Sequence, residues 1–496
     1  MKHAQNIDQR LCVLAVDVGL TQVKVGIFDT FGECLALSRA AYPTFCDKTG
    51  RSEQNPDDWW QAIVACSVNL RALAGSAMDR LAGLTVTGHM HTLVLCDAQG
   101  APLCPARTLA DRSSDGSLES ARSCFSQAEF QRMSGTLPDP SLPLLKCHSL
   151  RRQLPGLLQQ SRYFLSCKDY LRMRLCGGYA TDSLDACAFG AFDPAKGCWS
   201  EPLLEWAGLK LEQMPALQQA TSEAGRLKPQ PARELGIQEG LPVFTGAGDD
   251  VEVLGFGLFQ PGLAVEHFGT TGSVLLATAV PHTDALGGLE TYPHLLPKQW
   301  LCGGSINHAA SALSWVDRVL REDSGDYMSH GTGGCLDAEA LPVFVPHLTG
   351  SRSPRWNAAA RGQWEGLSLS HQARDLRFAA RMGVAAALAA ILSAMRSSQL
   401  APREIRVSRP ASMDAEEMTW LKQRAAFYRL PIAVVDQDEP TALGAALLAL
   451  VGLGVYPTVA AAVQTLVRTE FSVSSENEWS SFSEVYTKRY QEFNHA

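Results

Sequence analysis

Two stretches of this chain share one plan, and that plan limits the folds open to it. "LCVLAVDVG" (11–19) runs into "VKVGIFDTFGE" (23–33), two β-rich runs around a short turn holding Gly19 and Thr21. "LAVEHFGTTGSVLLAT" (263–278) does the same around Gly269, Thr270, Thr271 and Gly272. Such runs flanking a Gly-Thr turn read as hairpins. After the first come a strand, "CLALSRAAY", a helix opened by Asn-Pro-Asp, "NPDDWWQAIVACSVNLRALAG", and a return to strand in "LAGLTVTGHMHTLVLCDAQGAPL". After the second come helices at "INHAASALSWVDRVLRE" (306–322) and "RFAARMGVAAALAAILSAMRSS", then strands "EIRVSRPA" and "PIAVVDQ" around the helix "DAEEMTWLKQRAAFY". No close residue repeat accompanies this, so the duplication is architectural. It predicts an α/β protein of two domains facing one another across a cleft.

Length agrees, since 496 residues exceed what one core holds. A net charge of −8 argues against nucleic acid as a partner, which rewards basic stripes. The 14 cysteines are scattered with no C-x-x-C pair, as in a cytoplasmic protein with reduced thiols. The polar start "MKHAQNIDQR" does not read as a secretory leader. The uncharged run 441–467 is long enough to span a bilayer. Gly452, Gly454 and Pro457 cut it into two short helices, so no membrane association is expected.

The halves meet near "QEGLPVFTGAGDD", which divides the chain into 11–246 and 247–490 and places two adjacent carboxylates, Asp249 and Asp250, at the junction. The two hairpin turns suit phosphate. Gly19 allows close approach, Thr21 and backbone N–H groups can bond phosphate oxygens, and Lys24 adds charge. Asp17 at the strand end can hold a magnesium ion directly or through water. A lone D-x-G hairpin is usually only a turn; a Gly-Thr turn opening each of two α/β halves strengthens the phosphate reading. No G-K-[ST] is present, so neither is a Walker loop. His89 and His91, two apart on an expected strand, would share a face as a metal pair, but no third ligand is suggested.

The whole pattern resembles the FGGY family of carbohydrate kinases, on the actin-like ATPase (ribonuclease H-like) fold. "GRSEQNPDDWW" is similar to the family's G-x-x-E-Q-D-P-x-D-W-W. "GHMHTLVLCDAQGAPLCPARTLADRSSD" is similar to the xylulokinase branch, with its Q-M-H-G-L-V-L-L-D and W-x-D-x-R. "KDYLRMRLCGGYATDSLDA", "GAGDDVEVLGFG" and "SRSPRWNAAARGQWEGLSLSH" resemble further family motifs in order along the chain.

The resemblance implies an ATP-dependent kinase with Mg²⁺, acting on a sugar or polyol, with a homodimer as a possible assembly. It makes Asp249 the catalytic base, a role suited to a carboxylate beside a sugar hydroxyl. It places Met90, His91 and Asp111 in the sugar pocket. Asp250 either holds a second sugar hydroxyl or is a solvated or capping carboxylate. Arg112 is a candidate partner for Asp111. Lys168 and Asp169 read as structural, Asp182 as a weaker cleft candidate. Gly444, in "DEPTALGAALLA", is expected near the nucleotide.

Four departures qualify this. Leu20 and Gln22 replace two hydroxyls of the first phosphate turn. Leu109 replaces a tryptophan of the sugar pocket, and Met382 precedes Gly383 where the family has Glu-Gly. A glycine-rich nucleotide loop is replaced by "VSRPASMD", where Pro410 removes an N–H donor and Arg409 is a candidate for reaching a phosphate. The leading expectation is a kinase for a ketopentose, xylulose- or ribulose-like, or a related polyol. The alternative is a catalytically weak or inactive relative that binds sugar. An actin-like scaffold would leave Met90, His91 and Asp111 unexplained.

Overall fold

The computed structural model describes residues 11–282, 288–320, 337–357, 359–410 and 412–495. They form two compact units. The first holds the chain up to Phe259 with Tyr292–Gln299 and Glu439–Val467; the second holds Gln260–Thr291, Trp300–Asp438 and the chain from Arg468 onward.

The first unit carries a six-stranded sheet in the order Glu223–Arg226, Pro242–Phe244, Leu81–Gly88, Cys12–Val18, Gln22–Asp29, Cys34–Ala41. The last three are an antiparallel meander, as the hairpin reading predicts. Leu81–Gly88 and then Pro242–Phe244 add in parallel, and Glu223–Arg226 closes the edge antiparallel. The helix Pro56–Met78 links the meander to the parallel part. Its start is set locally: the Asn55 side chain accepts the Asp57 N–H, Pro56 sits in the first turn, and Asp57 and Asp58 face the positive end of the dipole. Cys12–Val18 is buried along its whole length. Cys12, Leu14, Val16 and Val18 share a core with Trp59, Ile63, Cys66 and Leu70 of that helix. Alternation puts Val13, Ala15 and Asp17 on the opposite face. The helix Pro440–Gly452 also packs on this strand, and none of its buried residues belongs to that core, so it covers the Asp17 face.

The second unit repeats the plan. From the meander outward its strands run Trp300–Ile306, Gly272–Thr278, Leu263–Phe268, Glu404–Val407, Ile432–Val435, Thr469–Val473. The pairings follow the same order: antiparallel within the meander, two parallel additions, then an antiparallel edge. The helix Ala373–Ser397 runs through its core. It is the one helix among the described residues long and apolar enough to cross a membrane, and 72 % of its most apolar window is buried in the protein.

The run 441–467 is two helices, Pro440–Gly452 and Val459–Leu466, split where its glycines and proline predict. The helix read over 306–322 spans Ala310–Val319, and residues 321 and 322 lie outside the described residues. The compact units do not follow the linear division 11–246 and 247–490. Asp249 and the helix Pro440–Gly452 both fall in the first unit. Two glycines explain this. A Cβ at Gly444 would stand 2.2 Å from Val251 O, and one at Gly255 2.0 Å from Pro440 O, so the helix is seated directly on the chain following Asp249.

Candidate functional site

The double aspartate follows a tightly built turn. Pro242–Phe244 pairs with Leu81–Gly88 and then stops. Gly246 takes φ +70°, and a Cβ there would meet Val86 O at 2.1 Å, so only glycine lets the chain close on its neighbour. Gly248 pairs with Gly88 as an isolated parallel bridge. A Cβ at Gly248 would lie 2.5 Å from Met90 Cγ and 2.7 Å from Met90 Sδ. Asp249 then opens the single turn Asp249–Val251.

Asp249 Oδ1 accepts the Met90 backbone N–H at 3.2 Å. The residue keeps part of its surface open, while protein crowds its carboxyl. Burial holds it well above the usual carboxylate range; the charges of Asp250, Glu252 and Asp17 add to this, and the Met90 N–H opposes it. A carboxylate so placed takes up a proton readily, which is what a general base must do.

Asp17 is buried and lies opposite Lys24 in the antiparallel register and opposite Thr87 in the parallel one. At the hairpin tip the Gly19 N–H donates to Gln22 O at 3.0 Å, the Tyr42 hydroxyl donates to Gly19 O, and Thr21 is exposed. Lys24 is not a free charge. Its Nζ lies 2.7 Å from Glu439 Oε2, and Arg39 pairs with the other oxygen of the same carboxylate. Nothing local in the sequence shows this pairing. Gly444 is buried against Val251, in the wall behind the Asp249 turn.

The strand Leu81–Gly88 ends before the His-Met-His segment, and His91 has φ +61°, so the premise of a strand-borne metal pair fails. His89 is buried, with Nδ1 2.6 Å from Thr92 Oγ1 and its ring edge-on to Trp59 at 5.5 Å. Burial, helped by the Lys146 charge, pushes its imidazole down to about 3. Among the described residues, no three His, Cys, Asp or Glu side chains are grouped to hold a metal ion. Met90 is brought against Gly248 and Asp249, while the adjacent His91 is partly exposed, with Nδ1 3.3 Å from Ser141 Oγ.

Asp111 is differently placed. It is 0 % exposed, with Oδ2 accepting the Ser52 N–H at 3.1 Å and Oδ1 the Ser113 hydroxyl at 2.7 Å. Arg112 does not orient it. With both Asp111 oxygens engaged in the interior, the guanidinium turns outward to Asp139 at 3.1 Å. Lys168, Asp169 and Asp182 form one buried ionic cluster, with Lys168 Nζ 2.7 Å from Asp169 and 3.0 Å from Asp182. Asp182 also caps the helix Ser183–Phe189.

In the second unit, the Gly269–Thr271 turn is tied to the start of the helix Ala310–Val319. The Ala310 N–H donates to Gly269 O at 2.9 Å, and the Ser311 hydroxyl to Thr270 O at 2.7 Å. Thr270 and Thr271 are exposed, and Gly272 opens the next strand. Beside them lies a cavity of about 580 Å³ lined by Thr270, His308, Ser311, Trp315, Arg318 and Thr349. It offers an aromatic face, a guanidinium and several hydroxyls. Trp315 and Arg318 were not singled out from the sequence; their one signal is their place on the helix that follows the Gly-Thr hairpin. Arg409 does not stand free for a phosphate. Its Nε lies 3.0 Å from Glu470, and it also pairs with Asp436. Ala411 of the same loop lies outside the described residues.

Residues 12–255 match the N-terminal domain, and residues 264–453 the C-terminal domain, of the FGGY family of carbohydrate kinases. The chain is 25% identical over 454 residues to a gluconokinase of Bacillus subtilis (strain 168), covering 89% of this chain and 88% of the relative. It is 29% identical over 397 residues to a xylulose kinase of Escherichia coli (strain K12), covering 79% and 80%. Among solved structures, one described as a xyloylose kinase from Brucella ovis superposes with a TM-score of 0.87 at 27% identity, covering 97% of this chain and 98% of that one.

Proposed function

Since the chain belongs to the FGGY family of carbohydrate kinases, and is thus a phosphotransferase that uses ATP, we propose that its acceptor is a hydroxyl of a ketopentose, xylulose- or ribulose-like, or of a related polyol, and that Asp249 is the base. The observation that carries the assignment is the seating of Asp249. Two glycines bring it against Met90, one backbone N–H orients it, and burial with three neighbouring carboxylates favours its protonated form. Relatives named xylulose kinase, gluconokinase and glycerol kinase share a polyhydroxylated acceptor. They favour turnover over the alternative of an inactive sugar-binding relative.

Met90, His91 and Asp250 are assigned to the acceptor. Asp111 is assigned to the frame of that pocket, since its oxygens already hold Ser52 and Ser113. Gly269, Thr270, Thr271 and Gly272, with Trp315 and Arg318, are assigned to the nucleotide. Gly19, Thr21 and Lys24 are assigned to phosphate, and Gly444 to the support of the Asp249 turn. Mg²⁺ is held by one or two carboxylates completed by phosphate and water. The buried Asp17 carboxylate fits that donor set. When bound, the ion offsets phosphate charge. This chain's own residues orient the acceptor hydroxyl and take its proton at Asp249 Oδ. Cytoplasmic location follows from the same substrates.

The test pairs turnover with binding. ATP consumption would be measured over xylulose, ribulose, gluconate and glycerol, and melting temperature with each acceptor. Asp249→Ala should lower kcat by at least about 100-fold while the best acceptor still raises the melting temperature. Near-normal turnover in that variant would remove Asp249 as the base.

A further inference from the structure

The Lys168 cluster holds one carboxylate too many. Lys168, Asp169, Arg172, Asp182 and Asp185 are all buried. Lys168 Nζ lies 2.7 Å from Asp169, 3.0 Å from Asp182 and 3.3 Å from Asp185, and Arg172 lies 3.5 Å from Asp169. Three acids therefore face two bases. With all five ionised the cluster keeps a net negative charge away from water, which burial penalises; one proton makes it neutral.

The hydrogen bonds locate that proton. Asp169 Oδ1 accepts from Lys168 at 2.7 Å, and Asp182 Oδ1 accepts the Leu184 N–H at 2.8 Å. Ser166 Oγ lies 2.8 Å from Asp185 Oδ2 and 3.1 Å from Asp169 Oδ2. One hydroxyl proton cannot serve two carboxylates. A proton on Asp185 Oδ2, donated to Ser166 Oγ, leaves the serine proton for Asp169. Asp185 Oδ1 is buried with no hydrogen-bond partner among the described residues. It stands 3.1 Å from where a Cβ on Gly248 would be, and Gly248 immediately precedes Asp249. The Cys167 thiol feels both regions: burial, then the charges of Asp185 and Asp249, push it well above its usual range. Asp185 also lines, with His91, Thr92 and Ser166, a cavity of about 10 Å³, room for about one water.

We propose that Asp185 is a positioning residue for Asp249: it carries the cluster's single proton, and in that neutral form it lets the Gly246–Gly248 turn close on it and seat the base. The proposal rests on Asp249 as the base. An ionised Asp185 would set the cluster's excess negative charge against Gly248, offset only by a Lys168 ammonium already shared with Asp169 and Asp182 and with almost no room for hydration, and opening the turn to admit water would displace Asp249. The groups facing Asp185 are Cys167, Lys168, Asp169 and Arg172 from one helix, Asp182 from the start of its own, His91 across the small cavity and Asp249 beyond Gly248. Burial raises the Asp185 carboxyl to about 8, with Asp182 and Asp169 adding to the rise and Lys168 opposing it. The neutral form thus prevails near neutral pH and is lost as pH rises through about 8.

Asp185→Asn keeps the shape and cannot ionise. In the wild type, kcat/KM for the acceptor should fall about tenfold per pH unit above the inflection, and the variant should lose less than about twofold over the same range. An unchanged alkaline limb in Asp185→Asn overturns the proposal. Melting temperature gives a readout that needs no turnover. A carboxyl whose folded value is raised gives stability that is complete below its ordinary value and lost as pH rises through the folded one. The wild type should therefore lose more stability than Asp185→Asn as pH rises toward 8, and equal slopes also overturn the proposal. If the melting difference is present but no acceptor is phosphorylated at any pH, the proton stays on Asp185 while the base assignment, and the positioning role with it, fall. Should Asp185→Asn not fold, an Asp249→Asn background answers instead. The infrared C=O stretch of a protonated carboxyl should disappear there as pH rises through about 8, and its absence at lower pH overturns the assignment.

Discussion

Lys24 Nζ stands 2.7 Å from Glu439 Oε2, and Arg39 holds the other oxygen of the same carboxylate. The lysine proposed above to meet a phosphate is therefore already neutralised from the start of a helix far along the chain. The cations are partly open to water, with side-chain exposures of 28% for Lys24 and 50% for Arg39, so each pair contributes under about 1 kcal/mol. A phosphate, with more charge than a carboxylate, competes well for them.

Glu439→Gln should consequently cost about 1 kcal/mol of stability or less, and lower the KM for ATP roughly threefold. ATP saturation curves at two ionic strengths would show it, with the gain shrinking at high salt. An unchanged KM would mean that neither cation meets the nucleotide.

The field around Asp249 makes a second expectation. Its carboxyl is raised by burial first and by Asp250 next. The base works only when ionised, so activity falls on the acid side of this raised value. Asp250→Asn removes one charge and should move the acid limb of kcat to lower pH, whatever it does to acceptor affinity. A limb that stays in place would show that another group sets it. The same rise means that the stability Asp249 contributes is complete below its ordinary value of 3.8 and lost as pH rises through the folded one. Asp249→Asn should therefore melt higher than the wild type near pH 7, the usual cost of a functional site.

Much of this architecture is legible in the sequence because it is local. The short apolar run of Cys12–Val18, the Asn55-Pro56 helix start and the glycines around Asp249 act over a few residues. What is not legible depends on distant partners. Glu439 meets Lys24 across 415 positions. Asp111 reads as a pocket acid until Ser52 and Ser113 are seen on its two oxygens. The apolar run through His89 reads as strand, yet it stops at Gly88, where a Cβ would sit 2.6 Å from Cys167 Sγ. Asp185 looks like an ordinary residue of a short helix until Lys168 is found shared among three acids.

Asp111 separates frame from pocket. Asp111→Ala strips the buried Ser52 N–H and the half-buried Ser113 hydroxyl of their acceptor, which costs about 1–3 kcal/mol for the buried group left unsatisfied. Melting temperature should drop clearly, and KM for the acceptor should change less than it does in His91→Ala. A large rise in acceptor KM with an unchanged melting temperature would instead put Asp111 in contact with substrate.

Gly444 gives the sharpest contrast between support and contact. A Cβ there would lie 2.2 Å from Val251 O, so Gly444→Ala forces either the helix Pro440–Gly452 or the Asp249–Val251 turn to move. Overpacking of this kind costs about 1–3 kcal/mol. Displacing the turn misplaces the base, and a shift near 1 Å lowers kcat by up to about 100-fold. The KM for ATP should stay within about twofold, because the expected damage lies at the base and not at the nucleotide. Steady-state kinetics at saturating acceptor, with a melting curve as control, decide it. A raised KM for ATP with kcat intact would return Gly444 to the nucleotide, and a variant that melts and turns over like the wild type would show that the helix yields without moving Asp249.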